Sequence, residues 1–269
     1  MGTKKVYLDT FALVKVGADA SLRQAARRYF EDDERELVVG ALNLVEVYPH
    51  QRRWSEVANF ISSVPFCIAQ NPDQVADAEV ARYPEATTLP VVFRSSDHRF
   101  SSAELGDAIV GNMRLKIASF NRNFRDQYEE TLQALLEDRN SFPPDSGRRH
   151  SAAQKWIFLQ KAVLAMLSPR HLSFLKKLHA SQELIKIELF RSVYIQALAV
   201  YLEYHVQKKK GKLSDVGDIL QLALLPYMNE AVLDNERNDL VMRINREWPL
   251  PEQLRSCTWS EFLVRLGAA

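Results

Sequence analysis

Several residue types and patterns are scarce in this chain of 269 residues, and each scarcity argues against a class of protein. Only two cysteines occur, Cys67 and Cys257, which is too few for a disulfide framework and fits a reducing cytoplasm. The chain has nine glycines and no glycine-rich phosphate loop or dinucleotide fingerprint, so a nucleotide-cofactor fold is poorly supported. The six histidines lack zinc-site spacing, and neither a hydrolase nucleophile elbow nor the kinase motifs occur.

Long apolar runs and an excess of one charge are also lacking. No signal-type segment follows the N-terminus and no later apolar run approaches the length of a membrane span, so the sequence predicts no membrane segment. Lysine and arginine number 35 against 34 aspartate and glutamate, a formal net charge of +1. Any nucleic-acid site must therefore be a local patch.

The beginning of the chain alternates short apolar runs with amphipathic segments. KKVYL, LVVG and VPFCIAQ have the length and apolar character of buried strands. The segments between them carry apolar residues at spacings of three and four, as a helix with one buried face does. This β-α-β-α-β order predicts an α/β fold, an α/β/α sandwich with a central parallel sheet.

The middle of the chain differs from the two ends. From about residue 98 the sequence consists of charged amphipathic segments without strand signals, so we predict a helical insertion over residues 98–206. The strand pattern returns in LSDVGDILQLALLPYMNEAVLDN and SCTWSEFLVRLG, which predict one more helix, two short strands and a closing helix. Residues 1–97 and 207–269 are therefore predicted to build one α/β domain.

Four acidic residues lie just after or beside apolar segments: Asp9 in VYLDT, Glu46 in LNLVEVY, Asp218 in DVGDILQLA and Asp234 in AVLDNERND. A parallel sheet collects the carboxyl ends of its strands along one edge, where such carboxylates can converge. Oxygen ligands of this kind suit Mg²⁺ or Mn²⁺. Crowded carboxylates raise one another's proton affinity unless a cation is present, so the metal is expected to stabilise the fold.

Two of these acids have a simpler explanation at helix starts. Asp9 and Asp234 each precede a helical or polar segment, where aspartate is a favoured N-cap. Thr10 is a candidate hydroxyl supporting Asp9 or a cap itself. Asp215 and Asp218 lie three residues apart at a helix start, and we assign Asp218 as the ligand because the apolar ILQLALL run follows it, with Asp215 as a cap or outer ligand.

Glu46 stands between apolar neighbours, which makes its charge a local conflict if the segment is buried. That conflict favours a functional role. The alternative is a helix that turns Glu46 to solvent or pairs it with Arg52 or Arg53.

The motifs VYLDT, LVEV and DILQLALLPYMNEAVLDN, in this order, resemble those of the PIN domain family of metal-dependent nucleases. The resemblance covers roughly residues 4–70 and 212–265, and the long helical middle departs from it. It implies that Asp9, Glu46, Asp218 and Asp234 hold Mg²⁺ or Mn²⁺. It also implies an endoribonuclease that hydrolyses RNA to leave 5′ phosphates, with a toxin-like or defence role and a small inhibitory protein partner.

Two basic segments are candidates for contacting RNA phosphates. One is a lysine run before the predicted acidic helix and the other lies in the proline-rich break of the insertion: Lys208, Lys209, Lys210, Lys212, Arg148 and Arg149. Each is equally explained as a solvated surface loop. The sequence leaves a homo-oligomer open.

Two other functions compete with a nuclease. A PIN-like scaffold would keep the fold and bind protein or RNA without cutting it, although the presence of all four acids argues against this. A hydrolase of the haloacid-dehalogenase type also begins with a strand-end aspartate, but Phe11 stands where its second catalytic aspartate is needed.

Overall fold

The computed structural model describes residues 3–32, 34–95, 150–181, 184–248, 250 and 252–268, together with residues 130, 133 and 137. These residues form two compact units. The sheet unit contains residues 3–71, 89–95 and 227–268, and the helical unit contains residues 72–88 and 150–226.

A six-stranded sheet organises the first unit. Its strands are β1 (Lys4–Leu8), β2 (Arg35–Val39), β3 (Phe66–Ala69), β4 (Val91–Arg94), β5 (Glu230–Leu233) and β6 (Ser256–Thr258), in the spatial order β4-β3-β2-β1-β5-β6. Five strands are parallel, and β4 alone pairs antiparallel, beside β3 at one edge. The predicted α/β class with a central parallel sheet is thereby confirmed, and the antiparallel edge strand adds to it.

The central strands are buried on both faces. In β1, Val6 and Leu8 belong to the main apolar cluster, while Tyr7 between them is equally buried outside that cluster. Successive side chains of a strand point to opposite faces, so both faces of the sheet are covered. This explains why the strands appear in the sequence as continuous apolar runs rather than as alternating ones.

The helices of the sheet unit are α1 (Thr10–Ala18), α2 (Ala20–Asp32), α3 (Ala41–Val47), α4 (Gln51–Ile61), α9 (Asn235–Glu247) and α10 (Trp259–Leu266). Four of them start within two residues of the end of a strand: α1 after β1, α3 after β2, α9 after β5 and α10 after β6. Their amino ends therefore lie at the carboxyl edge of the sheet. Helix α9 was missing from the prediction, which expected only strands and a closing helix after the last acidic motif.

The helical unit contains α5 (Pro72–Arg82), α6 (Ala152–Ala180), α7 (Arg191–Val200) and α8 (Leu213–Gln221). A π-helix (Tyr201–Val206) continues α7, and short 3₁₀ turns cover Ile187–Leu189 and Leu222–Tyr227. The buried carboxylate of Glu79 on α5 accepts hydrogen bonds from the backbone N–H and the hydroxyl of Ser192, both at 2.7 Å. This contact fastens α5 to the first turn of α7 and satisfies an amide at the helix start.

Within the described residues, no helix is both long enough and apolar enough to cross a membrane.

Candidate metal centre at the carboxyl edge of the sheet

Two of the predicted acids end neighbouring parallel strands of the sheet unit. Asp9 directly follows β1 and Asp234 directly follows β5. The register pairs Leu8 with Val232, and the backbone N–H of Asp9 donates to the carbonyl of Val232 at 3.0 Å. The strand pairing therefore brings two residues that are 225 positions apart in sequence to the same edge.

Asp9 is the most buried acid of this edge, with 1% of its surface exposed. One carboxylate oxygen, Oδ1, accepts from the backbone N–H of Thr10 at 2.7 Å and caps α1. Burial is the largest influence on the pKa of Asp9 and raises it above the usual value. The Arg237 guanidinium opposes this effect, while the Asp234 and Glu46 carboxylates add to it.

Asp234 is half-buried and caps α9 in the same manner. Its Oδ1 accepts from the backbone N–H of Arg237 at 2.8 Å. The N-cap explanation offered by the sequence is thus correct for both aspartates. It does not conflict with cation binding, because each cap uses one carboxylate oxygen and leaves the other turned toward the site.

Arg237 is the main residue of this edge that the sequence did not indicate. Its Nη1 donates to Asp9 Oδ2 in a short contact and lies 3.7 Å from Asp234 Oδ2. The side chain is 17% exposed, and the cap at Asp234 fixes the backbone from which it extends. A guanidinium therefore occupies the position between the two aspartates where a shared cation would bind.

A chain of hydrogen bonds connects Glu46 to Asn43 through Thr10, the residue that follows Asp9. The Thr10 hydroxyl donates to Glu46 Oε2 in a short contact and accepts from Asn43 Nδ2 at 3.1 Å. Asn43 is buried, donates to the Tyr7 hydroxyl at 3.0 Å and accepts from the backbone N–H of Gly40 at 2.8 Å. Asn43 thus orients Thr10, and Thr10 orients Glu46.

The burial conflict predicted for Glu46 is wrong. Helix α3 turns this carboxylate outward, so it is exposed while Leu44 and Val47 are buried. The side chain contacts Thr10 at the edge of the sheet, and neither Arg52 nor Arg53 is needed to explain its place. Burial of Tyr7 beneath this network raises the pKa of its phenol well above the usual value, and the Asp9 charge adds to the effect.

The oxygen atoms of this edge match the ligand preference of Mg²⁺ and Mn²⁺. Asp9, Asp234 and Glu46 supply carboxylates, and Thr10 and Asn43 support them. In the part of the chain that the structure describes, no three acidic, histidine or cysteine side chains are gathered closely enough to hold an ion as placed. The donor set fits a divalent ion chemically, and binding one between the aspartates requires Arg237 to turn away.

The two remaining acids belong to the helical unit. Asp215 lies in the first turn of α8, where its Oδ2 accepts from the backbone N–H of Lys212 at 2.8 Å. This contact is the capping role that the sequence offered for Asp215. Asp218 lies three residues further along α8 and is half-buried.

The predicted lysine run lies in the segment that leads into α8. Lys208 has a positive φ of 55° and is exposed, as are Lys210 and Lys212. Lys209 pairs with the buried carboxylate of Glu203 at 2.5 Å, and its contact with RNA phosphates stays a prediction. Arg148 and Arg149 lie outside the described residues.

Comparisons of this chain with protein-family models, with curated proteins and with solved structures find no match. The PIN resemblance therefore remains a prediction from the motifs.

Proposed function

We propose that this protein is a metal-dependent endoribonuclease of PIN-like architecture, in which an α/β/α sandwich carries a helical insertion at residues 98–206. One observation carries the proposal. A nearly inaccessible carboxylate, Asp9, ends a central parallel strand beside Asp234, which ends the neighbouring strand, and Glu46 reaches the same edge through Thr10. Burying a carboxylate there is unfavourable unless a cation accompanies it.

Mg²⁺ or Mn²⁺ at this edge would supply charge neutralisation at the phosphodiester and a more acidic bound water. Asp9 and Asp234 would hold the ion through the oxygens that do not cap helices, with Glu46 as the third carboxylate. Thr10 and Asn43 would keep Glu46 in place. The amino ends of α1, α9 and α10 lie at this edge, and their dipoles favour a bound phosphate group.

The resemblance supplies the rest of the proposed site. Asp218 would be the fourth ligand and Asp215 an outer one. Exposed Lys208, Lys210 and Lys212 would contact RNA phosphates. A toxin-like or defence role, an inhibitory protein partner and a cytoplasmic location belong to the same proposal.

A second function is favoured by Arg237. A guanidinium that already neutralises Asp9 gives the edge its cation without any metal. In that case the fold would be a non-catalytic scaffold that binds RNA or protein. The two functions differ in one respect that can be measured, namely whether Arg237 yields its position to a divalent ion.

The test is cleavage of end-labelled single-stranded RNA, structured RNA and DNA by the purified protein, with Mg²⁺, Mn²⁺ or EDTA. Asp9→Asn and Asp234→Asn keep an N-cap at each helix while removing the charge. Asp19→Asn is the matched control, because Asp19 also accepts backbone hydrogen bonds in the same unit, at the opposite end of α1.

Cleavage of RNA that needs the metal, is lost in Asp9→Asn and Asp234→Asn, and persists in Asp19→Asn supports the nuclease. Cleavage that all variants retain would show that residues other than Asp9 and Asp234 are responsible for the activity. RNA binding without cleavage, unchanged by metal, would favour the scaffold.

A further inference from the structure

A second concave site lies at the opposite edge of the sheet from Asp9 and Asp234. It is a cleft of about 600 Å³ beside the amino ends of β5 and β6, between α9 and α10. Its size is within the range of small-molecule sites, roughly 300–1,000 Å³. Strand β5 separates the two places, because Glu230 at its start lines the cleft and Asp234 follows its end.

The lining of this cleft is strongly basic although the whole chain carries a net charge of only +1. It contains Arg246, Arg255 and Arg265 against the single carboxylate of Glu230. Arg265 is in short contact with Glu230, which accounts for both charges. Arg246 makes only a long ion pair with its neighbour Glu247, at 3.8 Å and with 72% of the Arg246 side chain exposed, and within the described ranges Arg255 has no ion-pair partner. The lining therefore has two guanidiniums available for an anion.

The walls of the cleft are held by hydrogen bonds to backbone groups. The side-chain amide of Asn245 on α9 donates to the carbonyl of Leu254 at 2.8 Å and accepts from its N–H at 3.0 Å. The carbonyl of Arg255 accepts from the N–H of Ala231 at 2.9 Å, which fixes Arg255 at the start of β6. A site whose backbone is already in place loses less entropy when a ligand binds.

An apolar group accompanies the charges. Met242 on α9 lines the cleft and is 56% exposed, and buried Leu254 lies on the same lining. Exposed methionine is polarisable and makes favourable contacts with aromatic rings. Guanidiniums bind phosphate oxygens in a planar fork. This combination matches a small ligand with a phosphate at one end and a flat ring at the other.

We propose that the cleft binds a nucleoside monophosphate, with the phosphate on Arg246 and Arg255 and the base against Met242. A single nucleotide fits the volume of about 600 Å³. The site does not involve the acids of the opposite edge, so its test is independent of the proposed nuclease activity.

The experiment is calorimetric titration of the full chain in EDTA, with AMP, adenosine, inorganic phosphate and a short single-stranded RNA as probes. EDTA removes any contribution from the metal centre. The variants are Arg255→Ala, Arg246→Ala and Met242→Ala, with Arg27→Ala as control because Arg27 is an exposed arginine of the same unit on α2. Circular dichroism establishes that each variant is folded.

AMP is expected to bind more tightly than adenosine or phosphate alone. Arg255→Ala and Arg246→Ala should each weaken AMP binding by at least about tenfold, the effect of losing one charge-assisted hydrogen bond. Met242→Ala should weaken AMP without changing phosphate binding, and Arg27→Ala should change neither. Absence of AMP binding, or equal binding by wild type and both arginine variants, would overturn the proposal. Arginine-dependent binding of the RNA without binding of AMP would also overturn it and indicate a nucleic-acid surface.

Discussion

The ion pair between Asp9 and Arg237 compensates the buried charge at the acidic edge of the sheet. A carboxylate with 1% exposure is costly to keep charged, and burial raises its pKa accordingly. Arg237 is the largest influence that counteracts this effect. Removing Arg237 therefore leaves the buried Asp9 carboxylate without its main counter-charge.

A double-mutant cycle on this pair should show strong coupling. Arg237→Ala is expected to lower the free energy of unfolding by about 3 kcal/mol without metal, because Asp9 loses its counter-charge. In the Asp9→Asn background the same change should cost about 1 kcal/mol or less. Urea denaturation in EDTA measures all four proteins.

Arg243→Ala is the control for this cycle. It removes an arginine of the same helix whose partner, Glu247, lies 3.9 Å away near the surface, so a loss of at most about 1 kcal/mol is expected. Equal effects of Arg237→Ala with and without Asp9 would show that the pair does not compensate the buried charge.

Single residues of the site were predictable where a local rule applies. Asp9, Asp234 and Thr10 follow from strand ends and cap preferences, and the sequence carries both signals. Arg237 could not be recognised in the same way, because nothing in an isolated NERND marks an arginine that reaches across to another strand. The contact exists only after β5 pairs with β1.

At the scale of elements, the start of α10 is held by a reciprocal cap. The Thr258 hydroxyl accepts from the N–H of Glu261 at 3.4 Å, and the Glu261 carboxylate accepts from the N–H of Thr258 at 2.7 Å. The Thr258 backbone N–H, and with a smaller effect the Thr258 hydroxyl that donates to Glu261 Oε2 at 3.0 Å, lower the pKa of Glu261 below its usual value of 4.5.

This cap predicts a stability difference that depends on pH. A carboxyl with a lower pKa in the folded state stabilises the fold above its unfolded pKa, and that contribution disappears as the pH falls through the folded pKa. Glu261→Gln should therefore be less stable than wild type near neutral pH, and the difference should shrink toward zero in acid. Urea denaturation from about pH 7 to about pH 3 measures it. A difference that stays constant over this range would contradict the assigned cap.

The contact between α1 and α4 depends on the absence of a side chain at Gly17. A Cβ atom there would lie 3.1 Å from the backbone carbon of Glu56 and 3.1 Å from the backbone nitrogen of Val57. Backbone atoms cannot rotate away as a side chain can, so the two helices would have to separate.

Gly17→Ala should consequently lower the free energy of unfolding by about 1–3 kcal/mol, which exceeds the gain of up to about 1 kcal/mol in helix propensity. Arg27→Ala, at an exposed position of the neighbouring helix α2, is the control and should change stability by less than about 0.5 kcal/mol. Thermal or urea unfolding measures both. A stabilised Gly17→Ala protein would show that α1 and α4 can separate without cost.

Elements with one continuous apolar signal were predictable, and those without one were not. The apolar runs of β1, β2 and β3 made them recognisable as buried strands. Helix α9 was missed because polar residues dominate its sequence and only Leu240, Val241 and Ile244 mark its buried side. Its amino end nevertheless follows from Asp234 once that residue is taken as a cap.

For the whole molecule, strands from both ends of the chain share one sheet, as the strand pattern predicted. The pairing of β1 with β5 is the step that places Asp9 and Asp234 together. The proximity of Asp9 and Asp234 at the sheet edge thus follows from the strand order. The predicted limits of the insertion, 98 and 206, stay a prediction, since most of residues 96–149 lies outside the described part of the chain.

The central claim is that the edge formed by Asp9, Asp234 and Glu46 binds a divalent cation in competition with Arg237. Calorimetric titration of Mn²⁺ into wild type, Asp9→Asn, Arg237→Ala and the control Asp19→Asn tests it most directly. We predict one site in wild type, a tighter site in Arg237→Ala, no site in Asp9→Asn and an unchanged site in Asp19→Asn. Absence of binding in both wild type and Arg237→Ala, or binding that Asp9→Asn retains, would contradict the account.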